Sequence, residues 1–120
     1  MVGIQSIVDA NRELISQIKD RADHIDQSRS FPWQNLEELG EAGVLGLLVP
    51  ANYGGAGGSL KDMSQVLVAQ SAACASTAMV TLMHYCGAGV ITARGSEAMK
   101  KELLPAIAAG KHICTLAFSE

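Results

Sequence analysis

From Met63 to Ala93 the chain carries no Asp, Glu, Lys or Arg, although 18% of the whole sequence is charged. So long a gap asks either for a membrane or for burial against other protein. A transmembrane helix needs about 18 or more consecutive apolar residues. Here Ser64, Gln65, Gln70, Ser71, Ser76, Thr77 and His84 interrupt the run, and Ala75-Ser76-Thr77 reads as a break between helices. The span therefore predicts two buried helices of a soluble fold.

The flanking sequence supplies the partners. Ile4, Val8, Asn11, Ile15, Ile18, Ala22 and Ile25 recur at three and four residues, while Asp9, Arg12, Glu13, Lys19, Asp20 and Asp23 fall mostly off that line. This predicts a first helix over 3–26 with one buried face. Ser30 is placed to cap a second, short helix with Pro32 in its first turn, an apolar stripe of Trp33, Leu36 and Leu39, and Gly40 and Gly43 at its end.

Pro50 cuts off the apolar run Val44–Val49, and the glycine-rich stretch Ala51–Gly58 predicts a tight turn with φ > 0 at glycines. Ser59 with Asp62 resembles a capping box opening a third helix, with Met63, Val66, Leu67 and Ala73 in period behind it. Ser76 or Thr77 is expected to cap a fourth, whose apolar stripe is Met79, Leu82, Met83, Cys86, Val90 and Ile91, ending at Gly95. Ser96 caps a fifth from Glu97, which Pro105 must kink or restart. His112–Phe118 then reads as extended, and a lone strand cannot satisfy its own backbone groups. The expected fold is all-α: an orthogonal or up-down bundle of about five to six helices ending in a short extended segment.

At 120 residues with 48% hydrophobic and 4% aromatic content, the chain is one domain whose core is built more from close helices than from large rings. A net charge of -3 argues against a nucleic-acid partner. Cys74, Cys86 and Cys114 form neither an even disulfide framework nor a C-x-x-C pair, which suits free thiols in a reducing cytoplasm. The N-terminus lacks the basic and apolar regions of a signal peptide.

Several site patterns fail on spacing. Leu60, not Gly, precedes Lys61, and Leu60 also stands where a dinucleotide fingerprint starting at Gly55 needs its last glycine. His112 and Cys114 share a face of an extended segment but are too few for a closed zinc site, and no G-x-S-x-G elbow is present. His84 reads first as a hydrogen-bonded core residue, with Tyr85 turned about 100° from it. Met79, Leu82 and Met83 suit either core packing or an apolar ligand pocket.

Four segments taken together resemble the acyl-CoA dehydrogenase family in order and spacing. They are Leu39-Gly40-Glu41-Ala42-Gly43 running to Val49-Pro50, Asn52-Tyr53-Gly54-Gly55-Ala56-Gly57, Cys74-Ala75-Ser76-Thr77, and Gly95-Ser96-Glu97-Ala98-Met99-Lys100-Lys101 through Gly110 to Ser119-Glu120. One departure is Gln70, near a position that is often acidic in members. The resemblance implies that 1–110 form the N-terminal helical domain and 111–120 begin a middle β-domain, with a C-terminal helical domain elsewhere. It implies FAD as hydride acceptor in α,β-desaturation of an acyl-CoA thioester, with Leu116, Phe118 and Ser119 approaching the flavin.

Ala78, Met79, Leu82 and Met83 are by the same resemblance one wall of the acyl pocket. The catalytic glutamate belongs to the third part of such enzymes, so no catalytic residue is assigned in this chain, and the 120 residues alone are expected to be inactive. A homotetramer or dimer and an electron acceptor such as an electron-transfer flavoprotein are further implications. Two alternatives stay open: a flavin monooxygenase of the same fold, in which His84 or Tyr85 matters, and a helical interaction module without flavin.

Overall fold

A computed structural model describes residues 3–117, and these are all-helical. The element order is α1 (Ile4–Ser28), α2 (Trp33–Glu41), 3-10 turns at Val44–Gly46 and Ala51–Tyr53, α3 (Leu60–Ala73), α4 (Ala75–Arg94) and α5 (Glu97–Ala108). The shortest dimension is 22 Å, about two helix diameters, so the molecule is two helical layers thick. α1 packs along α3, α3 along α4 and α4 against α5, while α2 leads into the first 3-10 turn.

The α1 periodicity reads through to packing. Ile7, Val8, Asn11, Ile18 and Ile25 are buried and join Leu36, Leu39, Val44, Leu45, Leu47, Val66 and Tyr85 in one core. Asn11 belongs there because it has partners: its Nδ2 donates to the Val66 carbonyl at 3.3 Å, and its Oδ1 accepts from Gln70 Nε2 at 2.8 Å. Gln70 is fully buried, and its Oε1 has no partner among the described residues. The amide pair ties α1 to α3 without charge. A smaller cluster of Val49, Ala88, Leu104 and Ile107 fixes α5 against α4.

The capping box at Ser59 forms with Asp62 in the glutamate position: Asp62 Oδ2 accepts from the Ser59 amide at 2.7 Å, and Ser59 Oγ accepts from the Asp62 amide at 3.3 Å. The Ser59 amide, and the Ser59 hydroxyl that also donates to Asp62 Oδ2 at 2.8 Å, hold the Asp62 carboxyl below its usual range. Ser96 caps α5 through the Met99 amide.

Four expectations need correction. Pro32, not Ser30, stands at the N-cap of α2, with no side-chain cap; Ser30 Oγ lies 2.8 Å from Ser28 Oγ instead. Trp33 leaves the α2 stripe, 62% exposed, and meets Phe31 with ring centroids 4.5 Å apart. α4 begins at Ala75 behind an extended Cys74, so neither Ser76 nor Thr77 caps it. α5 runs unbroken through Pro105 to Ala108. The carbonyl that Pro105 leaves without its helical partner is that of Lys101, an exposed residue that water can serve.

The glycine loop folds back on the apolar run before it. The amides of Ala56, Gly57 and Gly58 donate to the carbonyls of Gly46, Val49 and Leu47 at 3.2, 2.9 and 2.7 Å. Gly54 and Gly57 take the expected positive φ. Gly55 does not, and its reason is packing: a Cβ there would collide with the Val49 carbonyl.

Candidate functional site

α4 is built the opposite way from its hydropathy. Its buried residues include Thr77, Thr81, His84 and Tyr85, whereas Met79 is 58% and Val90 48% exposed. Of the expected stripe, Met79, Leu82, Met83, Cys86 and Val90 are therefore on the outer, partly exposed face, while Ile91 packs against the Val49, Ala88, Leu104 and Ile107 cluster. The polar residues go inward because each finds a partner there, so burial costs them little.

The partners are specific. Tyr85 donates its hydroxyl to the Val44 carbonyl at 2.6 Å, and burial pushes its phenol pKa up, leaving it neutral. His84 Nε2 lies 2.8 Å from the Leu45 carbonyl, which can only accept, so that nitrogen carries the hydrogen. Nδ1 is then the acceptor, and the Cys114 amide donates to it at 3.2 Å. Burial lowers the His84 pKa, consistent with a neutral ring. Thr77 Oγ1 accepts from Asn35 Nδ2 at 2.9 Å and donates to Cys74 Sγ at 3.2 Å. Asn35 Oδ1 in turn accepts from Arg21 at 2.7 Å, and Arg21 forms a two-bond pair with Glu38 that lowers the carboxyl pKa.

This polar string through α1, α2 and α4 has no signature in the sequence. Arg21 and Asn35 are separated by a helix end and a turn, and their meeting is a consequence of α1–α2 packing. His84 and Tyr85 meet adjacent carbonyls of the 3-10 turn, so the main-chain partners, not the ring-to-ring approach of 6.1 Å, set their roles.

Outside, two apolar grooves flank α4. One, of about 400 Å³, runs between α3 and α4 past Met63, Leu67, Val68, Ala78, Met79 and Leu82. The other, of about 280 Å³, lies between α4 and residues 113–115, with Phe31, Met79 and Met83 on its walls. Of the four residues expected to line an acyl pocket, Ala78 and Leu82 face the first groove and Met83 the second, and Met79 borders both. Leu116 is half-buried on residues 111–117, which form neither helix nor strand. Phe118 and Ser119 lie outside the described residues.

Cys74, Cys86 and Cys114 are free thiols. Among the described residues no cluster of three His, Cys, Asp or Glu could hold a metal, and no helix is long and apolar enough to cross a membrane.

Comparison with known proteins gives the fold its family. The model of the acyl-CoA dehydrogenase N-terminal domain matches residues 4–111. Cyclohex-1-ene-1-carbonyl-CoA dehydrogenase of Syntrophus aciditrophicus is 36% identical over 76% of this chain and 22% of its own length. A short-chain-specific acyl-CoA dehydrogenase of Clostridium acetobutylicum is 29% identical over 88% of the chain and 28% of its own. 3-Sulfinopropanoyl-CoA desulfinase of Paraburkholderia xenovorans is 32% identical over 84% and 26%. A solved structure of the electron transferring flavoprotein of Acidaminococcus fermentans superposes with a TM-score of 0.82 at 24% identity, over 92% of this chain and 30% of that one, which supports the fold alone. The chain spans about a quarter of the length of these curated relatives. With its five helices in the matched order and the family model covering nearly all of it, the chain belongs to the acyl-CoA dehydrogenase family, as the N-terminal domain.

Proposed function

We propose that this domain serves a FAD-dependent acyl-CoA dehydrogenase, in which the outer face of α4 is one wall of the acyl site. The observation that carries the reading is the inversion of α4: its polar residues are bonded inside and its Met79 crest stands between two apolar grooves. Exposed apolar surface costs roughly 25 cal/mol per Å², so such a face is explained best by something apolar that covers it. A hydrocarbon chain meets that requirement, and Ala78, Met79, Leu82 and Met83 would shape its path.

FAD, when bound, supplies the two-electron oxidation by accepting the β-hydrogen as hydride. Residues 111–117 suit contact with it: among the described residues, the amides of Thr115 and Leu116 have no backbone partner, and half-buried Leu116 offers an apolar surface to a ring. Phe118 and Ser119 would extend that contact. The base for the α-proton, the assembly into a dimer or tetramer, and an electron-transfer flavoprotein as acceptor belong to the longer protein. A cytoplasmic location fits the free thiols.

A second reading keeps the acyl-CoA and changes the reaction, because desulfinases stand among the relatives and their name also specifies a CoA thioester. The monooxygenase alternative loses support, since His84 and Tyr85 are buried and hydrogen-bonded to main chain. The test is a series of saturated acyl-CoA thioesters given to the full-length protein with FAD and an artificial electron acceptor. Dye reduction that depends on the thioester supports desaturation. Turnover of 3-sulfinopropanoyl-CoA without dye reduction favours the second reading, and silence with every thioester overturns both.

A further inference from the structure

His84 is placed to do more than fill the core. Cys114 is held to α4 at three points: its amide donates to His84 Nδ1 at 3.2 Å, its thiol donates to the His84 carbonyl at 3.4 Å, and its Sγ rests over Gly87, where a Cβ would come within 2.8 Å. From that seat Ile113, Cys114 and Thr115 close one side of the groove that Phe31, Met79 and Met83 complete. The Nδ1 bond exists only while the ring is neutral. Protonation puts a hydrogen on both nitrogens, and Nδ1–H then faces the Cys114 N–H, donor against donor at 3.2 Å.

We propose that neutral His84 is the positioning residue that seats residues 112–117 on α4, and that its protonation in mild acid unseats them and opens the groove beside Met79. The acyl-CoA reading enters only through what the opened groove would hold; the switch itself stands apart from it.

The surroundings offer the imidazolium no counter-charge. On the segment, His112 opposes a second positive charge and the Cys114 thiol is kept neutral by burial. On α4, Tyr85 is a neutral phenol and Arg94 lies at the far end. The 3-10 turn Val44–Gly46 brings carbonyls alone. In α2, Glu38 is paired with Arg21, and Glu37 and Glu41 are exposed. In α3, Asp62 is bonded to Ser59 in the first turn beside exposed Lys61, and in α5 Glu97 pairs with Lys100 while Lys101 and Glu102 are exposed. The sign follows. Burial holds the seated pKa below the ordinary 6.5, and the unseated ring returns toward that value. The seat is intact above it, and between the two values the open population rises by roughly tenfold per pH unit of acidification.

NMR on the 120-residue chain, titrated from about pH 7.5 to about pH 4.5 so as to bracket the histidine range, tests this. The His84 ring nitrogens should begin as the Nε2–H tautomer. They should titrate at one midpoint below 6.5 together with the amides of residues 112–117, while Val8 and Ile18 of α1 stay fixed. His84→Gln keeps a donor and an acceptor but cannot titrate, so its segment amides should lose the step. Gly87→Ala leaves the imidazole in place and should displace the Cys114 amide already at neutral pH. A ring that titrates with unmoved segment amides overturns the proposal. So does an unchanged step in His84→Gln, or a transition in which Val8 and Ile18 move at the same midpoint.

Discussion

The two faces of α4 share one backbone, yet they do opposite work. The inner face carries Thr77, Thr81, His84 and Tyr85, each buried and each hydrogen-bonded. The outer face carries Met79, Leu82, Met83 and Val90, which see solvent or a groove. Along the charge-free stretch of α4 the burial of these polar side chains follows the supply of partners. The 3-10 turn after α2 presents the carbonyls of Val44 and Leu45, and the residues opposite them must be donors. What is left over faces outward, and in a domain that accounts for about a quarter of its relatives' length an apolar outer face is a surface for something else to cover.

The largest effect expected on the inner face is Tyr85→Ala. It removes a ring from the main core and leaves a cavity plus an unpartnered carbonyl, and should cost about 3–5 kcal/mol in denaturant unfolding. Next comes the scaffold behind that face. Gly55→Val drives a side chain into the Val49 carbonyl and should break the fold-back that holds Val44–Val49, costing about 2 kcal/mol or more in a thermal melt. A wild-type melting temperature would show that the loop is not required to hold the carbonyls.

Tyr85→Phe keeps the packing and strands the Val44 carbonyl, for about 1–2 kcal/mol. On the outer face Met79→Gln should change stability by no more than about 0.5 kcal/mol, since the side chain is already mostly in water. If Met79→Gln destabilised as much as Tyr85→Phe, the two faces would not differ in kind.

The contrast also marks where the sequence was legible. α1, the capping box at Ser59, the N-cap at Ser96, the end of α4 at Gly95 and the all-helical class follow from local rules: charge set against apolar residues at helical spacing, and side chains that reach their own backbone. Asn11 could be placed on the buried line of α1 from its spacing alone. Local rules failed where the partner is distant in sequence. For α4 the partners Asn35, Val44 and Leu45 lie about 40 residues away, and the apolar stripe turns from the core; Ser30 and Trp33 failed nearer home, Ser30 meeting Ser28 and Trp33 meeting Phe31, each two residues away. With Arg94 in the last turn as the one charge on α4, nothing marked its wet side. The proposed acyl-wall residues came from resemblance alone, and their division between two grooves needed the position of residues 113–115.

The proposed acyl wall requires the outer face of α4 to touch substrate and the inner face not to. Leu82→Trp in the full-length enzyme, assayed over acyl-CoA chain lengths, tests it most directly, because added volume shortens an apolar slot without touching the inner hydrogen bonds. The account predicts that kcat/KM falls for the longest accepted chains by about 10-fold or more, holds within about 2-fold for the shortest, and leaves Tm unchanged. An equal loss at every chain length, together with a lower Tm, would place Leu82 in the core and contradict the claim.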